Sequence, residues 1–263
     1  MTLDWSRLNH AYGPASDLPR LFDEAGDPEL AEVAWEELWA SLSHQGTVYT
    51  ASFAALPVLA DIATGRKPGG RWQALGLAGR IVVREQQLHE PGYVQGRYPS
   101  AIGELHRLTQ SLVMTEPFEG DADDFLYCLE HLLAFEGVPI WRHNLGRSEY
   151  AVVCPSCASH LEVDLSDRLR GTRHRDPNAR FRVVGREGPL LTDVHPATPA
   201  DLPPLASRLH GLAVRAGQPA AADHLTHLFG HTTCPDCASV FSVPDQIVAF
   251  ETRQSVGDLD QNS

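Results

Sequence analysis

The chain has 263 residues, with 34 acidic against 21 basic side chains and a formal net charge of −13. That length allows one large domain or two small ones with a substantial core, and no run of about 18 apolar residues marks a transmembrane helix. Residues 1–150 hold 21 acids and 11 Lys or Arg, a balance that repels phosphate backbones and argues against a nucleic-acid surface in that half.

Met1-Thr2-Leu3-Asp4-Trp5 lacks the basic-then-apolar layout of a signal peptide. A cytoplasmic location is therefore expected, where cysteines stay reduced and metal is favoured over disulfide. Lys67 is the single lysine. With abundant Ala, Gly and Pro, that usage fits a high-GC bacterial genome.

Taken in order, residues 1–16 read as a cap over the first helices. Asp17 is placed to cap a helix through Leu18, Leu21 and Phe22. A second helix after Pro28 carries Leu30, Val33, Ala34, Leu38 and Leu42 at three- and four-residue spacing. Trp35 and Trp39 share one of its faces, which points to packing against a neighbouring helix. His44-Gln45-Gly46-Thr47-Val48-Tyr49 breaks the pattern. A third helix follows through Phe53, Leu56, Leu59 and Ile62, then a fourth from Trp72 to Val83. The break concentrates donors, acceptors and an aromatic ring. It reads either as a hydrogen-bond network that sets the helix angle or as a partner or ligand contact at His44, Gln45 and Tyr49.

Leu18-Pro19-Arg20-Leu21 is echoed 38 residues later by Leu56-Pro57-Val58-Leu59. A helix–loop–helix unit with a period near 40 predicts an α-solenoid, because one helix pair cannot bury its own apolar face. Further helices are marked by Ile102 to Leu112 and by Phe125 to Leu133. Asp121, Asp123 and Asp124 suit the first turn of the latter, and Cys128 falls on its apolar stripe as a buried thiol.

From residue 149 the period changes to two. Tyr150–Val153 and His160–Leu165 predict a hairpin, and Phe181–Val184 a further strand. Leu202 to Leu212 and Ala222 to Phe229 predict a helix pair. Val240–Val243 and Ile247–Phe250 predict short strands before a disordered polar tail at 251–263. Between 168 and 186, seven arginines face only Asp176. That segment is a solvated loop or, through Arg170, Arg173 and Arg175, a contact for an acidic partner or nucleic acid.

The most specific signal is a pair of turns, Cys154-Pro155-Ser156-Cys157 and Cys234-Pro235-Asp236-Cys237. Two such turns supply the four soft ligands of a tetrahedral zinc site. The 76 residues between them imply a ribbon split by a helical hairpin, at a loop-closure cost that grows only logarithmically. A redox dithiol is the rival, but such motifs open helices, and both of these lead into strand-like sequence. Zinc-ribbon turns often place Gly after the second cysteine, where Ala158 and Ala238 stand here. His160 and His231 are alternative ligands that four cysteines make unnecessary. No phosphate loop, nucleophile elbow or His-Glu-x-x-His occurs, so an enzyme is not expected.

His10-Ala11-Tyr12-Gly13, Leu38-Trp39 with Ser41-Leu42, His44 to Tyr49 and the Leu-Pro-x-x-Leu helix starts together resemble uncharacterised bacterial HEAT-repeat proteins, over about the first 85 residues. The Cys-Pro-x-Cys pairs resemble zinc ribbons in general. The resemblance implies an α-solenoid used for protein contacts, with an immunity role against secreted toxins in some relatives. The expected architecture is mainly α: a HEAT-like solenoid over 1–148, then a split zinc-ribbon-like module over 149–250. The expected function is a zinc-stabilised, non-enzymatic scaffold whose acidic solenoid surface binds a partner protein such as a basic toxin. The alternative is a nucleic-acid-binding regulator that uses the ribbon and the 168–186 arginines.

Overall fold

The computed structural model describes residues 3–115, 117–166, 168–175 and 191–261, with side chains as far as Arg253. Two compact units emerge, the first from residues 1–115 and 127–143, the second from 116–126 and 144–263.

The first unit is helical. It opens with a two-residue hairpin, β1 (Asn9–His10) against β2 (Gly13–Pro14), followed by α1 (Leu18–Glu24), α2 (Ala31–Leu42), α3 (Thr50–Ala63) and α4 (Arg71–Val83). Then come α5 (Tyr93–Arg97), α6 (Pro99–Val113) and the part of α7 (Ala122–Phe135) from Tyr127 onward. The helix boundaries follow the three- and four-residue apolar spacing closely. Asp17 does not cap α1 with its side chain; it pairs instead with His10 Nε2 at 3.0 Å.

The organisation of these helices differs from a solenoid. Helix α3 is buried over most of its surface, with Ala51, Phe53, Ala55, Leu56, Leu59, Ala60 and Ile62 essentially inaccessible and a narrow stripe through Thr50, Pro57 and Asp61 left open. A helix apolar over so much of its surface sits inside a bundle, here packed against both α4 and α6. The sequence echo fails for a related reason. Pro19 stands in the first turn of α1, where a missing N–H costs nothing, while Pro57 lies in the interior of α3. The two Leu-Pro-x-x-Leu segments occupy inequivalent positions and do not mark a structural repeat.

The second unit corrects the fold class further. Its strands are β3 (Glu149–Val153), β4 (His160–Asp164), β5 (Gly171–His174), β6 (Leu191–His195), β7 (His231–Thr233) and β8 (Val240–Ser242). They form one antiparallel sheet in simple sequence order. The chain as a whole is a mixed α/β structure, 52% helical with a curled six-stranded sheet, and not a mainly α solenoid with a small β appendage. The sheet was underestimated because β5 and β6 are short and polar. β5 runs through the arginine-rich segment, and β6, Leu191-Thr192-Asp193-Val194-His195, buries only Val194. The expected strand at 181–184 lies outside the described residues.

The predicted helix pair is present as α8 (Pro204–Arg215) and α9 (Pro219–Leu228), inserted between β6 and β7. The strand expected at 247–250 is instead part of α10 (Val243–Gln261). Val243 and Ile247, spaced by one helical turn, are its buried contacts, and the helix packs on β3. Two apolar stretches of four residues each were too short to separate strand from helix by period.

Candidate metal centre

Each Cys-Pro-x-Cys turn sits at the tip of a hairpin, the first between β3 and β4, the second between β7 and β8. Laid flat, a six-stranded sheet would hold those hairpins about four strand spacings apart, ~19 Å. The curl brings them together. Thr172 Oγ1 on β5 and Thr232 Oγ1 on β7 hydrogen-bond at 2.8 Å across the concave side, and both residues are fully buried. Thr192 on β6 spans the same gap by donating from Oγ1 to Thr233 O.

The two turns are built alike. Cys154 N–H donates to Ser159 O at 2.9 Å and Ala158 N–H to Cys154 O at 3.0 Å; the counterparts are Cys234 to Ser239 at 2.8 Å and Ala238 to Cys234 at 3.0 Å. Ala158 and Ala238 share a φ of 58°, the left-handed conformation that glycine usually supplies. Alanine therefore does not spoil the turn geometry; it adopts it, at a cost of roughly 1 kcal/mol each.

The matched turns place four sulfurs in one cluster. Cys154 Sγ lies 3.7 Å from Cys237 Sγ, Cys157 Sγ lies 3.7 Å from Cys234 Sγ, and all four fall within 4.8 Å of one another. Those two contacts interchange when one turn is exchanged for the other, the signature of a local two-fold. A tetrahedral site with metal–sulfur bonds of ~2.3 Å has sulfur–sulfur edges of ~3.8 Å. Disulfide sulfurs would be at ~2.05 Å, and all five cysteines are thiols. The cluster thus has the ligand type, number and spacing of a metal site.

The environment prepares these sulfurs unequally. Burial raises the Cys157 thiol, but the Ser159 hydroxyl and amide, with the Cys237 and Cys154 sulfurs, outweigh it and bring the group down to about 7. The Ser159 hydroxyl lies 3.2 Å from Cys157 Sγ. Burial pushes the Cys234 thiol up, against the backbone N–H groups of Cys237 and Asp236 that favour its anion. A divalent metal would reverse that balance by displacing the protons outright. Ser156 and Ser239 hydroxyls meet at 2.7 Å and tie the two turns together beside the sulfurs. The sequence held a signal for this support: Ala-Ser follows the second cysteine in both turns. His160 and His231 are exposed and stand outside the cluster, while Cys128 is buried on α7.

The other candidate residues fall into local networks. Gln45 and Gly46 have φ of 48° and 82°, and Thr47 N–H returns to His44 O at 2.8 Å, which makes the break between α2 and α3 a type I′ turn. His44 Nδ1 pairs with Tyr12 Oη at 3.1 Å. Gln87 clamps the turn from both sides, donating to Gly46 O and accepting from Val48 N–H, each at 3.0 Å. Tyr49 N–H donates to Ser52 Oγ, which in turn donates to Leu42 O. The turn is spanned by bonds that fix the α2–α3 connection.

Of the arginines, Arg170 pairs with Asp223 at 2.6 Å and lies against the His227 ring. Arg173 donates from Nε to Glu162 at 2.8 Å, with Glu149 at 3.5 Å. Among the described residues of that segment, Arg168 and Arg175 are exposed and without an ion-pair partner. Arg180, Arg182 and Arg186 lie outside the described residues. Trp141-Arg142-His143-Asn144 spans the boundary of the units, the first of which ends at His143. No helix among the described residues is long and apolar enough to cross a membrane. No family model matches the chain, and no curated protein or solved structure matches it either.

Proposed function

We propose that this chain is a zinc-stabilised protein-interaction module of the cytoplasm. One zinc ion, held by Cys154, Cys157, Cys234 and Cys237, fastens the two ends of the curled sheet. The observation that carries the reading is the four-sulfur cluster, with its 3.7 Å edges and matched turns. Four thiolates complete the coordination of zinc and leave no open position for a substrate or an activated water, which is the arrangement of structural sites. Such a site supplies folding energy, on the order of 10 kcal/mol of apparent binding. Zinc suits all-thiolate tetrahedral coordination, and iron shares that preference.

The interaction role rests on charge and on surface. The helical unit carries fifteen acidic against ten basic residues, a field that attracts a basic partner and speeds its association. A basic toxin is the partner class implied by the resemblance to immunity-like proteins. The nucleic-acid reading has less support, because Arg170 and Arg173 spend their charge on Asp223, Glu162 and Glu149.

The test pairs metal analysis with capture. Tagged protein is passed through host lysate, with and without nuclease. A stoichiometric protein partner that resists nuclease and is lost at high salt is the expected result. Recovery of nucleic acid alone would replace this reading with the alternative.

A further inference from the structure

Helix α2 presents Glu32, Trp35, Glu36 and Trp39 at positions i, i+3, i+4 and i+7, so the four side chains share one face. That face, with Gly70 and Gln73 at the start of α4, lines an open cleft of about 770 Å³. The cleft lies wholly within the helical unit.

Three features distinguish it from an ordinary surface furrow. The two indoles offer aromatic walls: Trp35 is buried, and Trp39 is half-buried with its ring resting over Gly76 of α4, where an added Cβ would be 3.5 Å away. Trp35 is 5% exposed, and its enclosed Nε1–H has no acceptor among the described residues, although buried indole donors are ordinarily paired. Glu32 and Glu36 are exposed, one turn apart and without a cation among the described residues, so like charges face each other unneutralised. Glu37, the next carboxylate on α2, has Arg20 at 3.9 Å, and Asp23 has Lys67 at 3.7 Å. The pair at the cleft is the part of this ridge left open.

Aromatic faces beside unpaired carboxylates are the chemistry that receives a cation. Indole is the strongest neutral partner for one, and a guanidinium stacks on aromatic planes while donating to carboxylates. We infer that the cleft between α2 and the start of α4 binds an arginine side chain carried on an extended segment of a partner protein. The inference rests on the proposed interaction role and gives that role a site and a chemistry.

The probe is the peptide acetyl-Gly-Arg-Gly-amide, with the citrulline peptide as a neutral control of the same shape. The indole N–H resonances of the five tryptophans are followed by NMR on titration. Saturable movement of the Trp35 and Trp39 signals is expected, with the citrulline peptide bound about tenfold more weakly. The variant Glu32→Gln/Glu36→Gln changes only exposed side chains and should weaken the arginine peptide by a similar factor. Equal affinity for both peptides, indifference to the double substitution, or no movement of those two signals overturns the inference. If a partner is captured from lysate and the double variant retains it undiminished, the cleft is refuted while the interaction reading stands. If the cleft binds arginine and no partner is captured, the converse holds.

Discussion

His131 makes the stability of the helical unit depend on acid. The imidazole lies in the core on α7, and neither ring nitrogen has a hydrogen-bond partner among the described residues. Its surroundings are Tyr127 edge-on, with centroids at 4.2 Å, and the bare backbone of Gly79 on α4. Burial, with a smaller effect from Arg80, lowers its pKa from 6.5 to about 3. The unfolded chain thus binds a proton near pH 6.5 that the folded chain refuses until about pH 3. Stability is full above pH 6.5 and is lost as pH falls through that window. Between pH 7 and pH 5 the loss from this group alone is about 2 kcal/mol. All five tryptophans lie in the helical unit, so urea unfolding followed by indole fluorescence isolates it. The native chain should lose about 2 kcal/mol more than His131→Leu between those two pH values. Carboxylate effects are common to both proteins and cancel. An equal loss in both would refute the placement of a neutral, buried imidazole.

Three further predictions follow from single contacts. Gly79→Ala should destabilise by roughly 1–2 kcal/mol despite alanine's better helix propensity, because the added Cβ would lie 2.1 Å from His131 Cδ2; combining it with His131→Ala should recover most of the loss. Glu85 accepts from Gly92 and Val94 N–H and faces Arg142 Nη1 at 3.6 Å, with both side chains buried. Glu85→Ala strands that guanidinium, whose pKa burial already lowers, and should cost about 3–5 kcal/mol in chemical denaturation. Ala158→Gly and Ala238→Gly should leave stability within about 0.5 kcal/mol, as relief at positive φ offsets glycine's entropy. Ala158→Val should instead weaken metal retention in a chelator competition assay.

Local order was readable in the chain wherever one period ran for three or more turns. Helices α2, α3, α4, α6 and α7 announced themselves through leucine and alanine spacing, and the β3–β4 hairpin through the apolar run Tyr150 to Val153 and the alternation of His160 to Leu165. The cysteine turns were readable too, because four thiols in two matched pairs leave few other arrangements. What the sequence hid was how the pieces meet. The apolar periodicity of α3 marks a helix, but the extent of its burial depends on α6, distant in sequence, as well as on the neighbouring α4. The echo of Leu-Pro-x-x-Leu suggested a repeat, yet proline serves as a first-turn residue in α1 and as an interior interruption in α3. β5 and β6 carry threonine, arginine and aspartate in place of an apolar alternation, since much of their pairing is with the backbone and with one another. The curl that unites the cysteine turns comes from those two strands, so the site was legible and the sheet that builds it was not. The unpaired Trp35 donor and the cleft beside it likewise required the approach of α4, which no spacing along α2 records.

The most direct test of the central claim is the metal itself. Protein purified without added metal should show one zinc per chain by native mass spectrometry, with four sulfur neighbours at about 2.3 Å in X-ray absorption. Cys154→Ser or Cys234→Ser should abolish stoichiometric binding. A chain that is fully folded without metal, or zinc bound with nitrogen and oxygen neighbours in place of the four thiolates, would contradict the account.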